Sequence, residues 1–162
     1  MDILKSLVLN SPPLVEIISY CLMPNHFHLL VKQARDNGIS KFISKFQNSY
    51  TKYFNTKHQR QGHLFQGQFK AVRVENDEQL IHVHRYIHLN PYSSYVVKNK
   101  QQLESYPYSS LPEYLFRESK GNFCEKNLIL EFFPTNQAYK EFIFNQADYQ
   151  RVLDQIKHLT FE

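Results

Sequence analysis

The feature that most constrains this chain is a change of apolar period between residues 14 and 54. Residues 14–23 and 26–32 are rich in branched and aromatic side chains, and Met23-Pro24-Asn25 punctuates them as a turn would, so they read as two neighbouring strands. From Ile39 the apolar positions become Ile39, Phe42, Ile43, Phe46, Tyr50, Tyr53 and Phe54. That is the three-and-four spacing of an amphipathic helix, whose other side carries Lys41, Lys45 and Lys52 as a cationic stripe.

Further along, Gly62 to Val74 alternates again, with Phe65, Phe69 and Ala71 opposite Leu64, Gln66 and Lys70, and predicts a third strand. Asn76 followed by Gln79 predicts a helix cap, and Asp77 and Glu78 suit the positive end of the helix that follows, from about Asp77 to Leu89. Pro91 is expected to stop this helix, because proline lacks the amide hydrogen and crowds the residue before it. Asn90 then falls in the last turn. Beyond Tyr92 the chain is looser through Pro107 and Pro112, and short helical patterns recur around 124–133, 136–145 and 146–158.

A chain of 162 residues has room for one compact domain with a real core. Its charge is unevenly spread: residues 32–73 hold nine Lys or Arg and a single acid, Asp36. Such a block, interleaved with Phe46, Tyr50, Tyr53 and Phe54, suits a polyanion that also offers bases to stack on, and a solvated helix face is the plainer alternative. Cys21 and Cys124 lack CxxC spacing, which argues against a disulfide framework and for a reducing cytoplasm. The apolar run from Leu14 to Met23 is too short to span a bilayer, so no membrane partner is expected.

The chemistry-bearing residues follow from the same periodicities. In the second strand His26 and His28 are two apart, so both imidazoles project from one face and can share a cation if a third donor arrives. On the later helix Tyr86 and Asn90 are four apart and therefore share a face, offering a phenol and an amide oxygen together. A phenol titrates near about pH 10, so as a nucleophile toward phosphorus it needs a nearby cation or base. Attack would give a phosphotyrosine ester, which keeps the energy of the broken bond for a later joining step. His82, His84 and His88 lie on the same helix, and His82 shares the Tyr86 face, so a histidine-based zinc site is an alternative.

Three ordered strings carry a family likeness: Leu22-Met23-Pro24-Asn25-His26-Phe27-His28-Leu29-Leu30-Val31, then Gly62-His63-Leu64-Phe65-Gln66-Gly67-Gln68-Phe69-Lys70, then Arg85-Tyr86-Ile87-His88-Leu89-Asn90-Pro91. Together they resemble the IS200-like tyrosine transposases, in particular the REP-associated branch. Weaker similarity continues through Tyr106-Pro107-Tyr108-Ser109-Ser110, where Tyr108 stands in place of a tryptophan frequent in relatives. The resemblance implies an α+β fold with a ferredoxin-like antiparallel sheet and packed helices. It implies His26 and His28 as the HUH pair, Tyr86 as nucleophile, Asn90 as the polar metal ligand, and Mg2+ or Mn2+ as cofactor. The implied substrate is a DNA hairpin with adjoining single-stranded DNA, cleaved to a 5′-phosphotyrosine and a free 3′-hydroxyl. Lys41, Lys45, Lys52, Lys57, Arg60, Lys70 and Arg73 would face that DNA.

The expected division is a transposase domain over residues 1–110 and a C-terminal helical extension over 111–162. The family pattern puts a strand and most of a helix before the Leu14 strand, where this sequence has 13 residues, so the core is expected to lack its N-terminal strand, with Asp2 to Leu9 as the tail of the first helix. An active strand transferase, a non-catalytic DNA-binding remnant and a histidine-based metal-binding protein are the readings left open, as are monomer and homodimer.

Overall fold

The computed structural model describes residues 12–116 and 123–152. The segment Asp2 to Leu9, expected as a helix tail, lies outside the described residues. Two strands, β1 (Val15–Leu22) and β2 (Phe27–Gln33), form an antiparallel sheet. The helices that follow are α1 (Gly38–Lys57), α2 (Asp77–Ser93), α3 (Lys100–Glu104), α4 (Leu111–Leu115), α5 (Asn127–Leu130) and α6 (Asn136–Phe144). Sheet and packed helices make this an α+β architecture, as expected.

The chain divides into two compact units, one formed by Val31–Arg73 with the segment that ends at Glu16, the other by Ile17–Leu30 with the chain from Val74. In the first unit, the Leu14 carbonyl accepts from the Ala34 amide at 3.2 Å, and Glu16 pairs with Lys32 at 3.1 Å. Gly38 opens α1 directly against the Leu14 carbonyl, and a Cβ there would collide with that backbone. Along α1 only Gly38 and Ile43 are buried, while Phe42, Phe46 and Phe54 are half-buried.

The second unit holds the core. Ile18, Cys21 and Leu30 from the strands pack with Ile87 and Leu89 of α2 and with Leu103, Leu111, Ile129 and Ile143 from the later helices. Within the expected C-terminal helical extension, Leu111, Tyr114, Ile129, Tyr139, Ile143 and Ala147 join the same core as β1 and α2. Tyr108, Ser110 and Glu125 close the edge of β1 away from β2. The Leu22 amide donates to the Tyr108 carbonyl at 2.8 Å, Ser110 donates to Tyr20 at 3.0 Å, and Glu125 donates to Ile17 at 2.8 Å. Backbone groups that would otherwise face solvent along a strand edge are satisfied in this way.

α2 begins as the sequence predicts. The Asn76 side chain accepts from the Gln79 amide at 2.8 Å, and the Gln79 side chain accepts in return from the Glu75 amide at 2.8 Å. Asn99 and Gln102 repeat the device at α3, with the Gln102 amide donating to Asn99 at 2.9 Å and the Lys98 amide to Gln102 at 2.8 Å.

Two expectations need correction. Pro91 does not stop α2, which runs on to Ser93. Its ring removes the donor that Ile87's carbonyl would use, but the Ser94 amide three residues on still reaches the Asn90 carbonyl at 3.0 Å, so the last turn closes around it. Residues 62–74 do not form a strand. Gly62 (φ 90°) and Gly67 (φ 66°) bend the segment, no described strand offers it a ladder, and Val72 is 85% exposed. Alternation supplies a strand's faces but not its hydrogen-bond partner.

Inside the second unit a chain of buried hydrogen bonds ties α2 to its surroundings. The His84 Nε2 lies 2.9 Å from the Tyr139 hydroxyl, that hydroxyl lies 3.4 Å from His88 Nδ1, and His88 Nε2 lies 2.7 Å from Ser110 Oγ. Ser110 Oγ in turn donates to the Tyr20 carbonyl at 3.2 Å while accepting from the Tyr20 amide at 2.9 Å. With the serine proton committed to Tyr20, His88 Nε2–H must donate to Ser110. His88 Nδ1 then accepts from Tyr139, whose oxygen accepts from His84 Nε2–H. Both imidazoles are therefore neutral. Burial depresses both, His84 with added repulsion from His88, and His88 down to about 3.

Candidate active site

The turn between the strands presents the first two residues. His26 sits immediately before β2 and His28 within it, with ring centroids 4.9 Å apart, so the alternation that put them on one face holds. Asn25 Oδ1 lies 2.6 Å from His26 Nδ1. A carboxamide oxygen only accepts, so His26 carries its proton on Nδ1 and keeps the Nε2 lone pair available, the usual arrangement of a ligating histidine. His28 Nε2 is buried and has no hydrogen-bond partner. Burial, then the neighbouring His26, lower the pKa of His28, against a smaller upward effect from a hydrogen bond with Asn90. The imidazole is thereby kept in its neutral, electron-donating form.

α2 supplies the other two. The Tyr86 ring meets the His28 ring edge-on at 5.7 Å, and Tyr86 is 39% exposed, open to a large substrate. One turn later Asn90 is 3% exposed, and its Nδ2 donates to the Tyr86 carbonyl at 3.2 Å. With Nδ2 committed to this bond, Oδ1 is the atom that faces the His28 ring and accepts its hydrogen bond. Arg85, next to the tyrosine, is turned into the protein. It lies 2.7 Å from His82 Nδ1 and 2.9 Å from Gln146 Oε1, and stacks 4.5 Å over the Phe142 ring. These contacts hold the α2 turn from which Tyr86 projects.

His26, His28, Tyr86 and Asn90 are thus brought together within one unit. The donor set fits a divalent cation: two imidazole nitrogens, that of His28 buried and unpartnered, and one amide oxygen. The sequence reading missed Asn25, whose signal was a carboxamide directly before the first histidine. The other histidines are not brought to this point. His84 and His88 are consumed by the buried chain, His82 pairs with Arg85 and approaches Glu78 at 3.9 Å, and no group of three His, Cys, Asp or Glu able to hold a metal occurs among the described residues. Lys41, Lys45, Lys52, Lys57, Arg60, Lys70 and Arg73 are all exposed, and all belong to the first unit. No described helix is long and apolar enough to cross a membrane.

No curated protein and no solved structure gives a match. Residues 11–90, a stretch that spans both histidines, Tyr86 and Asn90, match the family model described as Transposase IS200 like.

Proposed function

We propose that this chain cleaves and rejoins single-stranded DNA as a single-tyrosine transposase of the REP-associated branch, with Tyr86 as nucleophile and His26, His28 and Asn90 as ligands for Mg2+ or Mn2+. The observation that carries this reading is the meeting of the Tyr86 ring with His28, whose buried Nε2 lacks a partner, one helical turn from Asn90. A cation held there would supply Lewis-acid stabilisation of the charge that builds on the scissile phosphate.

In the cleavage step the Tyr86 phenolic oxygen gives up its proton and bonds to phosphorus, while the bond from phosphorus to the 3′ oxygen breaks. That oxygen takes up a proton and departs as a 3′-hydroxyl, leaving the 5′ end esterified to Tyr86. Joining reverses the step: an incoming 3′-hydroxyl bonds to phosphorus, and the phenol is released with its proton. The ester stores the energy, so no further energy source is needed. Tyr86 suits this role because α2 is anchored on its inner side by His84, Arg85 and His88 while its phenol stays open. The exposed Lys and Arg side chains of the first unit would neutralise the backbone of a hairpin and its single-stranded flank.

A labelled hairpin oligonucleotide incubated with the protein and Mn2+ tests the reading. A denaturation-resistant adduct is expected, absent in Tyr86→Phe and absent with a chelator. A gel shift that weakens with salt but never yields an adduct would reject catalysis and leave a DNA-binding remnant.

A further inference from the structure

The C-terminal end of α1 carries aromatic rings that the first unit does not cover. Tyr50 is 44% and Tyr53 58% exposed, with centroids 6.4 Å apart, whereas Phe42, Phe46 and Phe54 on the same helix are half-buried. The chain after the helix folds back to support the pair. The Asn55 side chain donates to the Gly62 carbonyl at 2.9 Å, and the Arg60 amide donates to the Asn55 carbonyl at 3.0 Å. Gly62 provides the left-handed backbone (φ 90°) the reversal needs. Phe65 is thereby set against Tyr50 at 6.1 Å. Cations flank the rings, with Lys57 Nζ 5.7 Å from the Tyr53 centroid and the Arg60 guanidinium 5.8 Å from that of Phe54.

Exposed rings of this kind need an occupant that is flat, aromatic and anionic. A protein partner is disfavoured, because the centres of protein interfaces are depleted in lysine, and here lysine lies beside the most exposed ring. An unpaired nucleotide satisfies both halves: its base stacks on a phenol and its phosphate meets the ammonium group.

We propose that Tyr50 and Tyr53, backed by Phe65 and flanked by Lys57 and Arg60, form a stacking platform for unpaired nucleobases of single-stranded DNA. This rests on the transposase reading for the identity of the polymer, but it assigns a binding site outside the tyrosine and histidine cluster. The platform supplies affinity for single strands without reading Watson–Crick edges, and it predicts that a duplex, whose bases are already stacked, gains nothing from these rings.

The test uses the Tyr86→Phe protein, so that binding is measured without cleavage, and single-stranded oligonucleotides with 2-aminopurine or an abasic site at successive positions. Bound 2-aminopurine should be quenched, and the base-bearing strand should bind about tenfold or more tighter than the abasic one. Adding Tyr53→Ala should abolish that preference and Tyr53→Trp should restore it, with circular dichroism confirming that both variants fold. A base preference unchanged in the Tyr50→Ala/Tyr53→Ala pair would overturn the proposal. So would a DNA-free dimer in sedimentation velocity that the same pair dissolves, because the rings would then belong to a second copy of the chain. If the platform holds while wild-type protein forms no adduct, only the cleavage reading fails; an adduct formed with no base preference removes only the platform.

Discussion

Removing the Tyr139 hydroxyl should weaken the second unit far more than the loss of one oxygen suggests. Tyr139 is fully buried, and its ring packs against Tyr114 at 5.5 Å and Phe133 at 5.4 Å, contacts that Tyr139→Phe retains. What disappears is the link between two imidazoles, at 2.9 Å to His84 and 3.4 Å to His88. His84 Nε2–H loses its acceptor outright, and since its Nδ1 already lacks a partner the whole ring is left unsatisfied. A buried polar group without a partner costs about 1–3 kcal/mol, and the longer bond to His88 adds a smaller amount, so a loss of about 2–4 kcal/mol is expected. For a chain of this length that lowers Tm by about 5–15 °C. Urea unfolding followed by far-ultraviolet circular dichroism measures it as a drop in midpoint at unchanged slope, and 15N chemical shifts should show His84 and His88 as Nε2–H tautomers in the wild type. A Tyr139→Phe protein within about 0.5 kcal/mol of wild type would refute the argument, because surface-like tolerance at this site means the chain of bonds is not made.

Acid should unfold the protein through the same histidines. Their folded pKa values lie below the ordinary 6.5, His88 at about 3, so the unfolded chain takes up protons first; stability is fully present above about pH 6.5 and is lost as pH falls toward 3. Urea midpoints at pH 7, 5.5 and 4 should fall in that order, and a flat series would count against neutral buried imidazoles. Asn25→Ala frees the His26 ring and should raise the Kd for Mn2+ about tenfold or more, read by electron paramagnetic resonance; unchanged affinity would remove Asn25 from the site. Lys45→Gln and Lys52→Gln should each flatten the dependence of log affinity for single-stranded DNA on log salt by about one unit, without altering sequence preference. Unchanged slopes would move the DNA path off α1.

The candidate site was legible because its parts are local. A period of two puts His26 beside His28, and a spacing of four puts Tyr86 above Asn90, whatever the rest of the chain does. The helix cap at Asn76 was legible for the same reason. The failures are all non-local. Residues 62–74 have a strand's alternation but no described neighbour to pair with, and the two glycines turn them aside. Pro91 breaks a helix interior, yet near a helix end the one donor it removes is a small loss that the flanking turn absorbs. Three histidines on one helix looked like spare metal ligands; only packing reveals that His84 and His88 meet Tyr139 and Ser110, residues 55 and 22 positions away. The membership of Leu111, Ile129 and Ile143 in the core was equally hidden, since a short apolar pattern does not say which surface it covers.

That the late helices complete the core has a genetic corollary. A premature stop codon anywhere between Leu111 and Ala138 would delete the phenol that unites the two imidazoles together with the core residues Ile143 and Ala147, though every residue of the proposed chemistry would still be translated. Such a product should be cleared by cellular proteases before it meets DNA, because degradation follows the population of opened molecules. Screens for loss of the proposed activity should therefore recover nonsense alleles well downstream of Asn90, and their steady-state protein level, not their catalytic constants, should account for the phenotype.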